Sequence, residues 1–346
     1  MQANYSKYIL NFKTPSGTSR GVLKTKETFF LTIVANGYTG IGECAVFRGL
    51  STDDKPDYES KLQWTCAQIN AHIPFNELLN SLKTYPSIQF GVEQAFLSLQ
   101  NKNKTLLFPS KFTQGEASIP INGLIWMGKT AFMQKQIEAK IAAGFNTIKL
   151  KIGAIAFDKE LELLHNIRKQ YDKSKITLRV DANGAFSPNN ALEKLQALAK
   201  LDIHSIEQPI KAGQWEEMAK LCYISPIPIA LDEELIGVFD REDKEALLKG
   251  IFPHYIILKP SLIGGIQGTN EWIYLAKKHK IGWWITSALE SNIGLNAIAQ
   301  YTYSLGTEIP QGLGTGGLFT NNFDSPLEIK DGNLHYNNAK KWQLTL

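Results

Sequence analysis

The stretch Thr147-Ile148-Lys149-Leu150-Lys151-Ile152-Gly153 decides how the chain is read. Apolar and polar residues alternate strictly, the period of a strand, with Ile148, Leu150 and Ile152 on one face and Lys149 and Lys151 on the other. Packing does not ask for two lysines side by side on the inner face of a buried strand, where they repel each other and lose hydration. Lysines also guard solvated sheet edges, so the stretch alone leaves two readings open.

Working outward, short strands alternate with amphipathic helices from residue 118 on. Strands are predicted at 119–125, 147–152, 177–183, 203–209, 229–233, 255–260 and 281–287, with a short eighth before Gly312. Helices are predicted at about 129–143, 157–171 and 188–200, and each strand but the last is followed by a helical segment. Eight near-equal units favour closure into a TIM-like (β/α)7β barrel over an open, doubly wound sheet.

Residues 1–117 do not share that rhythm. Strands at 8–13 and 28–35, an Asn36-Gly37 hairpin turn into 38–43, and helices at 58–71 and 88–100 predict an α+β capping domain. Ser87 is the expected N-cap of the second helix. Residues 14–21 and 46–57, rich in turn formers, are expected to be loops that close over the barrel mouth and carry Arg20, Phe47 and Arg48 to a substrate. The tail has no helix of its own and is expected to return to the cap and complete it. The divisions are thus 1–117, 118–317 and 318–346.

At 346 residues and a formal net charge of +4, the chain is long enough for a large core and too weakly basic for a dedicated nucleic-acid binder. It is compatible with a small anionic substrate. No apolar run approaches the roughly 18 residues of a membrane span, and the first residues lack the apolar core of a secretory signal. Cys44, Cys66 and Cys222 have no metal-motif spacing and read as reduced, buried thiols. A cytoplasmic protein with no membrane or nucleic-acid partner is expected, its oligomeric state open.

A barrel carries its active site at the C-terminal ends of its strands. In order, those ends hold Lys149 and Lys151, Asp181 and Asn183, Glu207, Asp232, Lys259 and Ser287. Three carboxylates on three consecutive strands repel strongly in a dry interior, and a hard divalent cation resolves that conflict. An all-oxygen set without His or Cys suits Mg²⁺. Taken singly, Asp181 or Asp232 reads as a helix N-cap, Glu207 as a surface turn and Lys259 as a solvated lysine. Six such residues at matching strand ends are not explained that way.

These residues, in the runs Lys149-Leu150-Lys151, Val180-Asp181-Ala182-Asn183-Gly184, Ile206-Glu207-Gln208-Pro209, Ala230-Leu231-Asp232-Glu233-Glu234 and Leu258-Lys259-Pro260, resemble the enolase superfamily in its muconate-lactonizing subgroup. The resemblance covers essentially the whole chain. It implies that Asp181, Glu207 and Asp232 bind Mg²⁺ and that Lys151 and Lys259 face each other across the substrate, with Lys149 on the enolate oxygen. Glu233 falls on the outward phase of its strand, so Asp232 is the expected ligand; Glu234 stands where relatives often have serine. The implied chemistry is removal of a proton beside a carboxylate, with the cation stabilising the enediolate. Lys151, as base, must be neutral, and Lys149 and the metal disfavour its charge.

Two later stretches bear on the substrate. Dipeptide epimerases usually place an Asp-x-Asp pair near the eighth strand to hold an ammonium group, but this chain has Gly314-Thr315-Gly316. It is similar instead to the o-succinylbenzoate synthase family, Mg²⁺-dependent syn dehydratases of menaquinone synthesis. Ser287 and Glu290 after the seventh strand, Gly314, Thr315 and Gly316 at the eighth, and Asn183 are the implied substrate contacts, the glycines offering N–H groups to a succinyl carboxylate. The alternative is racemisation or epimerisation of N-acyl amino acids or dipeptides by the same enolisation; a barrel kept only as a binding scaffold is weakened by the complete metal–lysine set. Gly312, Gly314 and Gly317 also spell a dinucleotide fingerprint, but no helix start follows them. Trp283-Trp284 reads as core.

Overall fold

A computed structural model describes residues 1–18 and 21–344, with side chains for all of these but 16–18. Strands β1 (Gln2–Thr18), β2 (Gly21–Ala35) and β3 (Tyr38–Cys44) form an antiparallel sheet in that order. Asn36 and Gly37 take φ of 51° and 77°, as a two-residue hairpin turn demands. The β1–β2 ladder runs on to Thr18 opposite Gly21, after a register shift between Asn11 and Ser16. The loop expected at 14–21 is therefore a paired hairpin arm through Thr18. Pro15, which has no N–H to give a ladder, falls inside the shift, and pairing resumes beyond it.

Helices α1 (Tyr58–Asn70), α2 (Phe75–Ser81) and α3 (Pro86–Gln100) pack on this sheet around Phe29, Leu31, Ile33, Leu62 and Val92. Helix α3 lies so close to β3 that a Cβ on Gly42 would run into the Gly91 carbonyl oxygen. Pro86, not the residue after Ser87, opens α3, at the first helical position where a missing N–H costs nothing. Ser87 is thus inside the helix, and its side chain has another use described below.

After β4 (Ser118–Pro120), strands and helices alternate as expected. The alternation runs through β5 (Gly123–Ile125), α4 (Thr130–Ala142), β6 (Thr147–Lys151), α5 (Phe157–Gln170), β7 (Thr177–Asp181) and α6 (Pro188–Ala199). Then come β8 (Ile203–Glu207), α7 (Trp215–Ile224), β9 (Ile229–Leu231), α8 (Arg241–Ile251), β10 (Tyr255–Leu258), α9 (Gly265–Lys278), β11 (Gly282–Ile285) and α10 (Asn292–Ser304). Strands β5 to β11 form one parallel sheet in sequence order. The curl closes through Gln311 and Gly312, which bridge in parallel to Ile121 on one side and Thr286 on the other. Gly312 N–H donates to Ile285 O and Gln311 N–H to Pro120 O, both at 2.8 Å. The Gln311 side chain adds a further bond, accepting from Ile285 N at 2.7 Å.

The single strand expected at 119–125 is two. β4 joins a hairpin of β12 (Leu327–Lys330) and β13 (Asn333–Tyr336), and only β5 enters the barrel. Before reaching that hairpin, the tail runs beside β1, where Lys13 N–H donates to Leu318 O and Thr320 N–H to Asn11 O, both at 2.8 Å. Cys44, Cys66 and Cys222 are buried free thiols. No described helix is long and apolar enough to cross a membrane.

Candidate active site

Strand β6 is buried on both faces: Ile148 and Leu150 enter the main core, and Lys149 and Lys151 turn to the barrel interior. Its register puts Lys151 opposite Asp181 on β7, and Asp181 opposite Glu207 on β8, so these side chains reach one level. Lys149 Nζ lies 2.6 Å from Glu207 Oε2 and 3.0 Å from Asp181 Oδ2. Lys151 Nζ lies 3.0 Å from the same Asp181 oxygen and donates to Asn183 Oδ1 at 2.8 Å. From the far side Lys259, held extended before Pro260, is ion-paired to Asp232. Lys149, Lys151, Asp181, Asn183 and Lys259 line one pocket.

Burial works to discharge Lys149, but Asp181, Glu207 and Asp232 outweigh it and hold the ammonium charged. Lys259 is raised in the same way, against burial, by Asp232, Glu207 and Glu233. Burial pushes Asp181 up, yet Lys149, Lys151 and Lys259 together hold it well below the usual carboxylate range. Glu207 goes the other way: burial and the Asp181 charge push it up to about 8, with Lys149 pulling back. With Glu233, which also acts on Lys259, four carboxylates face three lysines, one carboxylate more than the lysines compensate.

That excess is what a dication would relieve. Glu207 Oε1 is buried with no hydrogen-bond partner, and Asp181, Glu207 and Asp232 offer only hard oxygen donors from consecutive strands, so the residues fit Mg²⁺. As placed, no three acidic, His or Cys side chains among the described residues stand close enough to hold an ion; the lysine ammoniums lie against the oxygens a cation would share. Glu233 joins the group, contrary to its expected outward direction. Strand β9 ends at Leu231 and the chain turns through a 3₁₀ turn at Glu233–Leu235, so strand alternation no longer applies. Its carboxylate lines the pocket and accepts from Asn183 Nδ2 at 3.0 Å.

The rest of the pocket is neutral. Ser287, Gly314 and Thr315 line it as expected, with Ser287 and Thr315 hydroxyls 2.7 Å apart, and Phe47 and Leu50 close it from the cap. Three expected contacts lie elsewhere. Arg48 is turned to Glu27 and Asp54, whose two carboxylates pair with its guanidinium. Glu290 is buried behind the wall, accepting from Ser261 Oγ and Ala288 N at 2.6 Å each. Gly316 packs on Asn292 and Leu295. Arg20 lies outside the described residues. Asn122, Leu124 and Trp126 line the pocket and were not expected; their alternation at two-residue spacing was the available signal.

Residues 133–340 match the family described as Enolase C-terminal domain-like. The o-succinylbenzoate synthase of Desulfotalea psychrophila (strain LSv54 / DSM 12343) is 46% identical, over 96% of this chain and 98% of its own. The crystal structure of MenC from Desulfotalea psychrophila LSv54 superposes with a TM-score of 0.86 at 42% identity, covering 97% of this chain and 99% of that one. A dipeptide epimerase from Enterococcus faecalis V583, complexed with Mg and the dipeptide L-Leu-L-Tyr, superposes at 0.83 over 97% and 96% with 19% identity, a likeness of fold alone. By its strand-end lysines and carboxylates, its capped barrel and these matches, the chain belongs to the enolase superfamily, in its muconate-lactonizing subgroup.

Proposed function

We propose that the chain is an o-succinylbenzoate synthase, a carbon–oxygen lyase that dehydrates 2-succinyl-6-hydroxy-2,4-cyclohexadiene-1-carboxylate with syn geometry. Near-full-length identity to a curated synthase supports the reaction. In the structure, the observation that carries it is a pocket of two ends: lysines and carboxylates at one, and at the other a neutral wall of Ser287, Gly312, Gly314 and Thr315 with no acid to hold an ammonium.

Lys151, oriented by Asn183, removes the proton α to the ring carboxylate and returns it to the hydroxyl leaving from the same face. Lys149, held protonated by the carboxylates, binds an oxygen of the substrate carboxylate. Asp181, Glu207 and Asp232 would hold Mg²⁺, which supplies positive charge to that carboxylate. Lys259 stays charged on the opposite wall and stabilises the delocalised anion over the ring. Phe47 and Leu50 exclude water from the mouth.

The two lysines reaching one pocket from opposite strands also suit racemisation of an N-succinyl amino acid, with Lys259 as second acid/base. Dehydration and racemisation assayed side by side, with Mg²⁺ and after chelation, test the assignment. Metal-dependent dehydration exceeding racemisation is expected; racemisation alone would overturn it.

A further inference from the structure

The neutral wall is built by β11, the two-residue eighth strand and β5, across the barrel from the strands that carry the carboxylates. Along β5 and the residue on either side of it, Asn122, Leu124 and Trp126 line the pocket in alternation. Asn122 is only 4% exposed, and its backbone N–H is fixed to Gln311 O at 2.9 Å. Its side-chain carbonyl oxygen is buried and has no hydrogen-bond partner. Native folds keep few such atoms, because an unpaired buried polar atom is destabilising.

Nothing nearby claims that amide. Ser287 Oγ lies 3.4 Å from Gly312 O and 2.7 Å from Thr315 Oγ1, so the two hydroxyls are bonded within the wall itself. Lys149, Lys151 and Lys259 are each paired with carboxylates at the other end. A ligand with a second anionic group must therefore meet a neutral donor on this wall, and the amide is one. Its nitrogen and oxygen exchange places by a half-turn within the same volume.

We propose that Asn122 is a specificity-determining residue that receives the terminal carboxylate of the substrate's succinyl arm through Nδ2. The proposal rests on the o-succinylbenzoate synthase reading. The amide discriminates as well as binds: a substrate whose arm ends in an alkyl group leaves it unpaired. Held by the closing bridges of the barrel, Asn122 pays little ordering entropy when the ligand arrives.

The test uses the full chain with Mg²⁺ and two ligands, o-succinylbenzoate and 2-butyrylbenzoate, which lacks only the terminal carboxylate. Leucine is close to asparagine in shape. Asn122→Leu should weaken o-succinylbenzoate about tenfold or more, the loss of one hydrogen bond to a charged group, and leave 2-butyrylbenzoate nearly unchanged. KM should rise in step, with a smaller change in kcat. Asn122→Asp should weaken o-succinylbenzoate further by repulsion. Equal losses for both ligands would mean a packing role and overturn the inference, as would no loss, or wild-type protein that does not distinguish the two. Absent dehydration by a wild type that does distinguish them would instead sink the reaction assignment and leave the carboxylate site standing.

Discussion

Lys151 and Lys259 reach the same pocket with different partners, the first with Asp181 and Asn183, the second with Asp232. In the dehydration reading only Lys151 moves a proton. Arginine keeps the charge but is a poor proton donor with a bulkier head. Lys259→Arg should therefore retain measurable dehydration, while Lys259→Ala and Lys151→Arg lose nearly all of it. If both lysines exchanged protons with the α-carbon, either arginine variant would be inactive. Turnover and α-proton exchange in D₂O separate these outcomes. Glu207→Gln keeps the shape and removes the charge, and should abolish Mg²⁺-dependent turnover with the fold intact by circular dichroism; near-normal rates would take Glu207 out of the ligand set. The lysine–carboxylate group was legible in the sequence because strand ends follow a period of two. Glu233 was misplaced for the converse reason: it follows its strand's last residue, where that period stops predicting direction.

Ser87 shows the same limit in an element. Its position before an apolar helical run reads as a cap, and the proline ahead of it moved the helix start. Inside α3 it instead donates to Asp53 Oδ2 through both N–H and Oγ, at 2.9 and 2.6 Å, and its hydroxyl also lies 2.7 Å from Tyr58 OH. These bonds pin the 46–57 segment that presents Phe47 and Leu50 to the pocket. Ser87→Ala should loosen that segment, raising KM several-fold and quickening proteolysis within it, with global stability lowered by only about 1 kcal/mol. Unchanged KM and cleavage rates would detach Ser87 from the mouth. That a loop lay there was readable from its turn formers. Its anchoring was not, since the bonds join residues 34 apart.

In the whole molecule, two buried carboxylates of the cap sit on N-termini of barrel helices. Glu43 accepts from Ser291 N, Ser291 Oγ and Gly294 N at 3.0, 2.6 and 2.9 Å. Glu93 accepts from Ile266 N and Gln267 N at 2.6 and 2.9 Å. Cap and barrel should therefore unfold together. Glu43→Ala, which strands those donors, should cost about 2–4 kcal/mol by denaturant titration with cap and barrel probes still coincident. Burial pushes the Glu93 carboxyl up to about 8 against the pull of its two N–H bonds. The folded protein thus keeps a proton that the unfolded chain has released above its ordinary value of 4.5. This contribution is full below that value and fades as pH rises toward 8. Stability should fall over that window, and Glu93→Gln should fall less steeply; equal slopes would remove Glu93 as the cause. The sequence announced a capped barrel through its change of rhythm at residue 118. The seam between the two was silent, because contacts between distant segments leave no period.

The eighth strand closes the barrel with only Gln311 and Gly312 and leaves glycine on the wall beyond it. The two nearby glycines are not equivalent. A Cβ on Gly312 would strike Thr286, whereas one on Gly314 would find its nearest neighbour at 3.6 Å, an ordinary contact. A side chain can thus be added at 314 without moving the backbone. An acid placed there by Gly314→Asp would turn an anion-accepting wall into a cation-accepting one, while the proton-moving lysines on the other strands stay as they are. A lineage with this barrel stands one codon from a different diet, and the blank position is where natural selection can write it.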